Sequence, residues 1–368
     1  MSKFENAGIM FGNAGMGEFY AHLAGVQNKV MVEYDSDRAD IYKCIYPHCH
    51  VIPKDITQKE TMDEFIEKCR EFNVSLLMAS PPCQGHSLAN QSEDKDEDIR
   101  NRLILQVVEA IERYPFKRVM IENVPSFLDY SSDTILPELK GATIREYLGD
   151  FLSLRGYFAN IYQYVDARKY SSTPQKRVRA IVLASKDREW KLPPMLPKEQ
   201  WRTLEDAIGD LPSLEAGERG PGIYDVAPQW DERYINIMKH TPTGCSAFNN
   251  SPEFQPYRRD GKKSKFYRTS YVRPKWDGAF PCVLRGSAGM GGMITCHPGR
   301  YIGDDENGNP LYNNARAYTI HELLRSYDLP DDFPFPDWAI DEDDLLRDVL
   351  GEAFAPRLVQ RILEVRPR

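Results

Sequence analysis

No stretch of this sequence approaches the roughly 18 uninterrupted apolar residues that a membrane-crossing helix needs. Its start, Met1-Ser2-Lys3-Phe4-Glu5-Asn6, shows no charged-then-apolar leader pattern. The expectation is a cytoplasmic protein with no membrane partner. Cysteine is scarce: 7 residues, an odd number scattered over 368, suit reduced thiols better than a disulfide framework. Metal-ligand spacing is missing as well. Cys44 and Cys49, flanked by His48 and His50, have no second ligand pair at structural-site spacing, so no metal is expected. There is no internal repeat, no low-complexity tract and no clear Gly-x-Gly-x-x-Gly turn, and the last of these argues against a dinucleotide-dependent dehydrogenase. An excess of positive charge is lacking too. With 47 Lys and Arg against 55 Asp and Glu, the net charge of −8 argues mildly against a nucleic-acid partner, because counterion release needs clustered cations.

What is present is a soluble globular composition, 41% apolar and 28% charged, in a chain long enough for one large domain or two ordinary ones. The distribution of charge says more than its sum. Residues 257–275 carry Arg258, Arg259, Lys262, Lys263, Lys265, Arg268, Arg273 and Lys275 against Asp260 alone, with Tyr257, Phe266, Tyr267 and Tyr271 interleaved. Such a stripe is either a solvated face or a phosphate-binding one, and acidic clusters at 93–98 and 341–344 conceal it in the total.

The first half alternates short apolar runs with helical patterns, which predicts a parallel sheet covered by helices. Expected strands are residues 7–11, 30–34, 74–79, 118–121, 158–165 and 178–184; expected helices are 17–24, 36–45, 61–72, 100–114 and 143–155. Past about Leu192 the prolines 193, 194, 197, 212, 221, 228 and 242 break any long periodicity, which predicts a second, irregular domain. Near the end Phe354, Leu358, Val359, Ile362 and Leu363 recur at helical spacing and make an apolar face that has to be buried.

Chemistry concentrates at expected strand ends, where ligands of such sheets collect. In Ala79-Ser80-Pro81-Pro82-Cys83-Gln84-Gly85-His86 two prolines bar a regular helix start and aim Cys83 outward, although a lone cysteine is more often a core thiol. Ile121-Glu122-Asn123-Val124-Pro125 places an acid on the same edge; a strand-end Glu is more often a loop cap or an ion-pair member. Together a cysteine and an acid on adjoining strand ends suit nucleophilic attack on an electron-poor ring. In Gln175-Lys176-Arg177-Val178-Arg179 the alternate arginines are expected on one strand face, either as structural ion pairs or as a grip on a carbonyl or anion.

In this order and spacing, the three segments resemble the DNA cytosine-5 methyltransferase family of bacterial and phage restriction–modification type, whose landmarks are Pro-Cys-Gln, Glu-Asn-Val and Gln-x-Arg-x-Arg. The resemblance implies an α/β fold: a Rossmann-like, S-adenosylmethionine-binding sheet with helices on both faces, plus a smaller irregular target-recognition domain. Residues 1–190 would form the catalytic and cofactor domain, completed by a C-terminal helix at 350–368, with 191–330 as the recognition domain and connection. It implies Cys83 as nucleophile, Glu122 as its partner acid and Arg179 on the base carbonyl, with Arg177, Gln84 and Asn123 completing the site. For the cofactor it implies Ala14, Gly15, Met16 and Gly17 in a tight turn, Glu33 on the ribose, Tyr34 over the adenine, Asp55 and Ile56 at the adenine edge, and Pro82 and Leu103 closing the pocket. Arg316, Thr319, Glu322 and Arg325 match the penultimate motif, and residues 351–356 the last. Asn13 stands where the family usually has an aromatic, Glu18 where it has a second glycine, Gly85-His86 where a small residue and Phe are more common, and Glu352 where Asn is usual.

The implied activity is methyl transfer to carbon 5 of a cytosine rotated out of duplex DNA, with a mobile polar loop after Cys83. DNA contacts are expected from Arg258, Arg259, Lys262, Lys263 and Lys265, and base reading near Arg285, where Gly286, Gly289, Gly291 and Gly292 permit close approach. A monomer is expected, with a cognate restriction endonuclease as a further partner. Two alternatives remain at this point: a tRNA cytosine-5 methyltransferase of the same family, and an inactive relative that only binds nucleic acid.

Overall fold

The computed structural model describes residues 4–82, 102–131, 141–257, 271–287 and 296–367. The expectations for Cys83, Gln84, Arg258, Arg259, Lys262, Lys263 and Lys265 lie outside them. The chain divides into two compact units: Met1–Ser171 with Val178–Leu196 and Ala353–Arg368, and Ser172–Arg177 with Pro197–Glu352.

The first unit is built on a seven-stranded sheet in the order β3-β2-β1-β4-β5-β7-β6. Its strands are β1 (Glu5–Met10), β2 (Val26–Val32), β3 (His50–Ile52), β4 (Leu76–Ala79), β5 (Arg118–Asn123), β6 (Phe158–Asp166) and β7 (Val178–Ser185). The central strands are buried on both faces, which is why they read as continuous apolar runs. Along β4 the residues alternate between two cores: Leu77 and Ala79 pack with Phe65 and Ile66 of α2 (Lys59–Glu71) and Val107 of α3 (Ile104–Arg113), and Leu76 and Met78 pack on the other face. Also on the first face lies α4 (Ile144–Leu154), and on the second lie α1 (Ser36–Ile45) and α10 (Pro356–Glu364).

The C-terminal apolar face is buried as expected. Leu358, Val359, Ile362 and Leu363 are 0% exposed, and Trp190 donates from Nε1 to the Ile362 carbonyl at 3.1 Å. Each such side chain contributes about 1.5–3 kcal/mol by leaving water, and Pro356 starts the helix where a missing N–H costs nothing.

Three local expectations are corrected. Residues 17–24 form only a 3-10 turn, Ala21–Ala24, because Gly25 takes a left-handed φ of 75° and closes the segment. His50–Ile52 is an additional strand, too short to show alternation in sequence. The sheet is not wholly parallel, since β7 runs antiparallel to both β5 and β6. The connection from β6, through the single turn α5 (Ala167–Tyr170), has no long helix for a crossover, so the chain doubles back.

Among its described residues the second unit holds the short helices α6 (Leu204–Ile208), α7 (Glu232–Lys239), α8 (Ile320–Ser326) and α9 (Asp343–Glu352) and a hairpin, β8 (Tyr301–Asp304) with β9 (Pro310–Tyr312). Its small apolar core of Trp230, Ile235, Met238 and Cys296 is supplemented by buried arginines. Arg316 grips both oxygens of Glu322 at 2.7 and 2.8 Å, and Glu322 in turn caps α8 with Thr319. Arg325 pairs with Asp331. Arg273, counted in the basic stripe, is fully buried, donating to the carbonyls of Met238 and His297, and so is removed from any solvated face. Among the described residues no helix is long and apolar enough to cross a membrane.

Candidate active site

The strand order reverses between β1 and β4, the sheet's centre, and the crevice at the carboxyl ends of these strands is where open α/β sheets hold ligands. The segment after β1 is an unusual turn. Phe11, Asn13 and Gly15 all have positive φ, at 60°, 49° and 84°. For a bulky residue such as Phe11 this backbone is strained, and strain of this kind concentrates at functional sites. The strand end of β2 pins the turn: Phe11 N–H donates to the Val32 carbonyl at 3.0 Å, and Asn13 N–H to Glu33 Oε2 at 2.9 Å. Asn tolerates the left-handed conformation as few side chains do, which accounts for its place in the turn. Gly15 has no alternative, because a Cβ there would meet the Tyr42 and Tyr46 rings at 2.8 and 2.6 Å, while the Tyr46 hydroxyl holds its carbonyl at 2.7 Å. Gly17 lies against Phe354 of the final motif, with a Cβ position 3.3 Å from that side chain.

Glu33 and Tyr34 follow β2. Glu33 accepts from Asn13 N–H and from Asp35 N–H at 3.2 Å, one bond on each oxygen. Burial pushes its carboxyl above the usual range, the two backbone donors and Arg38 opposing. A carboxylate has about four acceptor sites, so two remain for hydroxyl groups. The Tyr34 ring is 76% exposed at the same edge, an aromatic face with no core to cover it. Asp55 accepts from the Thr57 N–H and hydroxyl, setting the turn that buries Ile56, and Leu103 stands at the start of α3. Hydroxyl acceptors, an aromatic face and a tight glycine turn suit the ribose, adenine and amino-acid parts of S-adenosylmethionine.

The segment after β4 reaches Pro81 and Pro82, the last described residues before Cys83. It is tied to the next strand: Asn123 donates from Nδ2 to the Pro81 carbonyl at 3.1 Å and accepts from Val124 N–H at 2.8 Å. The sequence gives no sign of this link beyond the Asn itself. Glu122, 7% exposed, receives Arg179 Nε on Oε1 at 2.7 Å. Because β7 is antiparallel to β5, its beginning lies at the end of β5; Glu122 pairs in register with Ile181, and Arg179 is the diagonal neighbour on the same face.

Arg177 and Arg179 do not share a strand face. Arg177 precedes β7 and belongs to the second unit, 1% exposed, donating to the Val283 carbonyl at 3.0 Å and the Gly351 carbonyl at 2.9 Å. Arg285 pairs with Asp348 at 2.7 Å, and Gly286 N–H also donates to Asp348. Glu352 ends α9, and the N-cap position of α10 is Ala355, which makes no side-chain cap.

A model of the C-5 cytosine-specific DNA methylase family matches residues 10–366. The chain belongs to this family. It is 33% identical over 360 residues to the Type II methyltransferase M1.HgaI of Avibacterium volantium, covering 96% of this chain and 95% of the relative. With the Type II methyltransferase M1.HphI of Haemophilus parahaemolyticus it shares 26% over 357 residues, 96% of this chain and 84% of the relative. Two solved structures have the family's fold: a prophage-encoded E. coli chain assigned as a DNA modification methyltransferase (TM-score 0.65, 18% identity, 98% and 97% of the two chains) and Spodoptera frugiperda DNMT2 (TM-score 0.61, 15% identity, 98% and 99%). Membership covers both units, so the α/β sheet and the irregular unit are parts of one family architecture.

Proposed function

We propose that this chain transfers a methyl group from S-adenosylmethionine to carbon 5 of a flipped-out cytosine in a specific duplex DNA sequence, through a covalent bond between Cys83 and carbon 6. The observation that carries the reading is the meeting, at one edge of the sheet, of the Glu122–Arg179 pair with the Asn123-tethered turn that leads into Cys83.

Carbon 5 of cytosine is a poor nucleophile. Addition of the Cys83 thiolate to carbon 6 makes the ring an enamine and pushes electrons toward N3 and O2. Glu122 holds a proton at N3 as that charge develops, and Arg179, already oriented by Glu122, faces the O2 carbonyl. When bound, S-adenosylmethionine supplies an electrophilic methyl group. The residues that would hold it are Ala14 to Gly17, Glu33, Tyr34, Asp55, Ile56, Pro82 and Leu103. Loss of the carbon 5 proton and expulsion of the Cys83 sulfur then restore the aromatic ring. A free thiol near pKa 8.5 is only a few per cent ionised at neutral pH, so the loop must supply positive potential or N–H donors. Arg177, enclosed by carbonyls of its own unit, acts as a positioning residue. The target atom is inaccessible in a stacked duplex, so the base must leave the helix, and the second unit serves as the recognition domain.

Bisulfite sequencing of DNA from a methylation-free host that expresses the chain tests this reading. One methylated cytosine position within a recurring sequence word is expected. Methylation of tRNA with none of duplex DNA would replace it by the RNA alternative, and methylation of neither would leave only binding.

A further inference from the structure

Arg285 is pinned from several sides although its side chain is 54% exposed. Its Nε donates to Asp348 Oδ2 at 2.7 Å, and the other oxygen of that carboxylate accepts from Gly286 N–H at 3.0 Å. One side chain of α9 therefore fixes both the guanidinium and the backbone that carries it. Glu352, one helical turn further along α9, lies 3.5 Å from Nη1. Gly351 lets the helix press on this segment, because a Cβ there would collide with the backbone of Leu284 and Arg285. On the other side of Leu284, Val283 is anchored by its carbonyl to Arg177 and by its N–H to Gln175. Gly286 takes a left-handed φ of 65° just after the arginine.

An exposed ion pair by itself contributes little stability, and pinning a long side chain costs rotamer freedom. Such restraint on a half-exposed guanidinium suits recognition, where ordering completed beforehand is not charged against binding. With Nε committed to Asp348, Nη1 and Nη2 remain, and among the described residues neither donates a hydrogen bond. Their outward N–H groups form a planar fork for two acceptors side by side.

The flanking carboxylates decide which acceptors. A phosphate would meet Asp348 and Glu352 beside the fork, and two carboxylates against one guanidinium leave the group net negative. Arg177, which binds the Gly351 carbonyl, is 1% exposed and closed to an anion outside. A guanine edge is neutral, so it escapes this repulsion, and its O6 and N7 present the required pair of acceptors in the major groove. On the proposed role of the second unit as a DNA recognition domain, we infer that Arg285 reads one guanine of the recognised word through O6 and N7, with Asp348 as the positioning residue that holds its fork.

The test starts from the word that the parent methylates, found by bisulfite sequencing. Duplexes carrying that word are made with 7-deazaguanine, which lacks the N7 acceptor, at one guanine at a time. Binding at several salt concentrations and kcat/KM are measured for the parent, Arg285→Ala, Arg285→Lys and Asp348→Asn. At one guanine the replacement should cost the parent about tenfold, as for one charged hydrogen bond. It should cost the two Arg285 variants almost nothing, since neither methyl nor ammonium makes the fork. Asp348→Asn should lose part of the same discrimination and match the parent at every other guanine. The salt slope of Arg285→Ala should equal that of the parent.

Penalties that persist at every guanine in the Arg285 variants would overturn the assignment and make the ion pair merely structural. A uniform loss on all sequences, with the slope lowered by about one unit, would overturn it in favour of a phosphate contact. Parent-like discrimination in Asp348→Asn would remove the positioning role. A parent that methylates no duplex DNA sinks the proposed function and the guanine contact together, whereas a parent with a word and unchanged variants sinks the guanine contact alone. Should Arg285→Ala fail to fold, Arg285→Lys carries the comparison.

Discussion

Glu122 and Arg179 meet diagonally across the antiparallel pair β5 and β7, Oε1 to Nε at 2.7 Å, with both side chains nearly closed off from solvent. A pair so placed fixes the orientation of the arginine against the carboxylate. Glu122→Gln keeps shape and should lower turnover by about a hundred- to ten-thousand-fold, the usual range for a positioned acid–base group. Arg179→Ala should also lose turnover, and the double variant should lose less than the product of the single losses, since the two act as one unit. Single-turnover kinetics measures this, and strictly multiplicative losses would show that the two residues act independently and not as a pair.

Cys83→Ser should abolish methylation while S-adenosylmethionine affinity stays within severalfold of the parent, because the sulfur acts on the base. Residual turnover above a few per cent, in a filter assay of methyl incorporation, would remove Cys83 as nucleophile.

Tyr34→Ala and Glu33→Ala should each weaken cofactor binding by about 1–3 kcal/mol, for a missing stacking face or a missing charged hydrogen bond, with little change in DNA affinity. Glu33→Ala also removes the carboxylate that accepts from Asn13 N–H and pins the glycine turn, so its effect should be the larger. Calorimetry on both variants checks the pair; unchanged affinity in both would contradict the pocket.

The raised Glu18 carboxyl makes stability depend on pH. Its folded value of about 7 lies above its ordinary value of 4.5. The folded state therefore holds a proton that the unfolded state releases first, and this contribution is complete below about 4.5 and lost as pH rises through 7. The loss is about 3 kcal/mol at most. Glu33, also raised by burial, acts in the same direction. Urea midpoints at pH 5 and pH 8 should fall less steeply in Glu18→Gln than in the parent, and parallel profiles would exclude Glu18 as the source.

If Arg258, Arg259, Lys262, Lys263 and Lys265 bind phosphates, replacing them by Ala should weaken binding to all DNA sequences alike and reduce the salt slope by about one unit for each phosphate no longer neutralised. Arg273 is excluded from such a set by its burial. Retention of both affinity and slope would make the stripe a solvated face and send the DNA path to another surface.

The sequence by itself determined the sheet's central apolar strands, the helix 36–45, the buried C-terminal face and the strand ends that carry Glu122 and Arg179. Alternation and helical spacing are local properties, and polar side chains at the ends of apolar strands stand out because packing gives them no reason to be there. Tertiary structure alone decided the rest. Arg177 and Arg179 look equivalent two residues apart, yet one is enclosed by the carbonyls of Val283 and Gly351 and the other meets Glu122. The reversal of β7 follows from a short connection and from partners on two different strands. Hydrogen-bond partners and burial depend on distant segments arriving at the same place, and no local pattern of residues encodes that arrival.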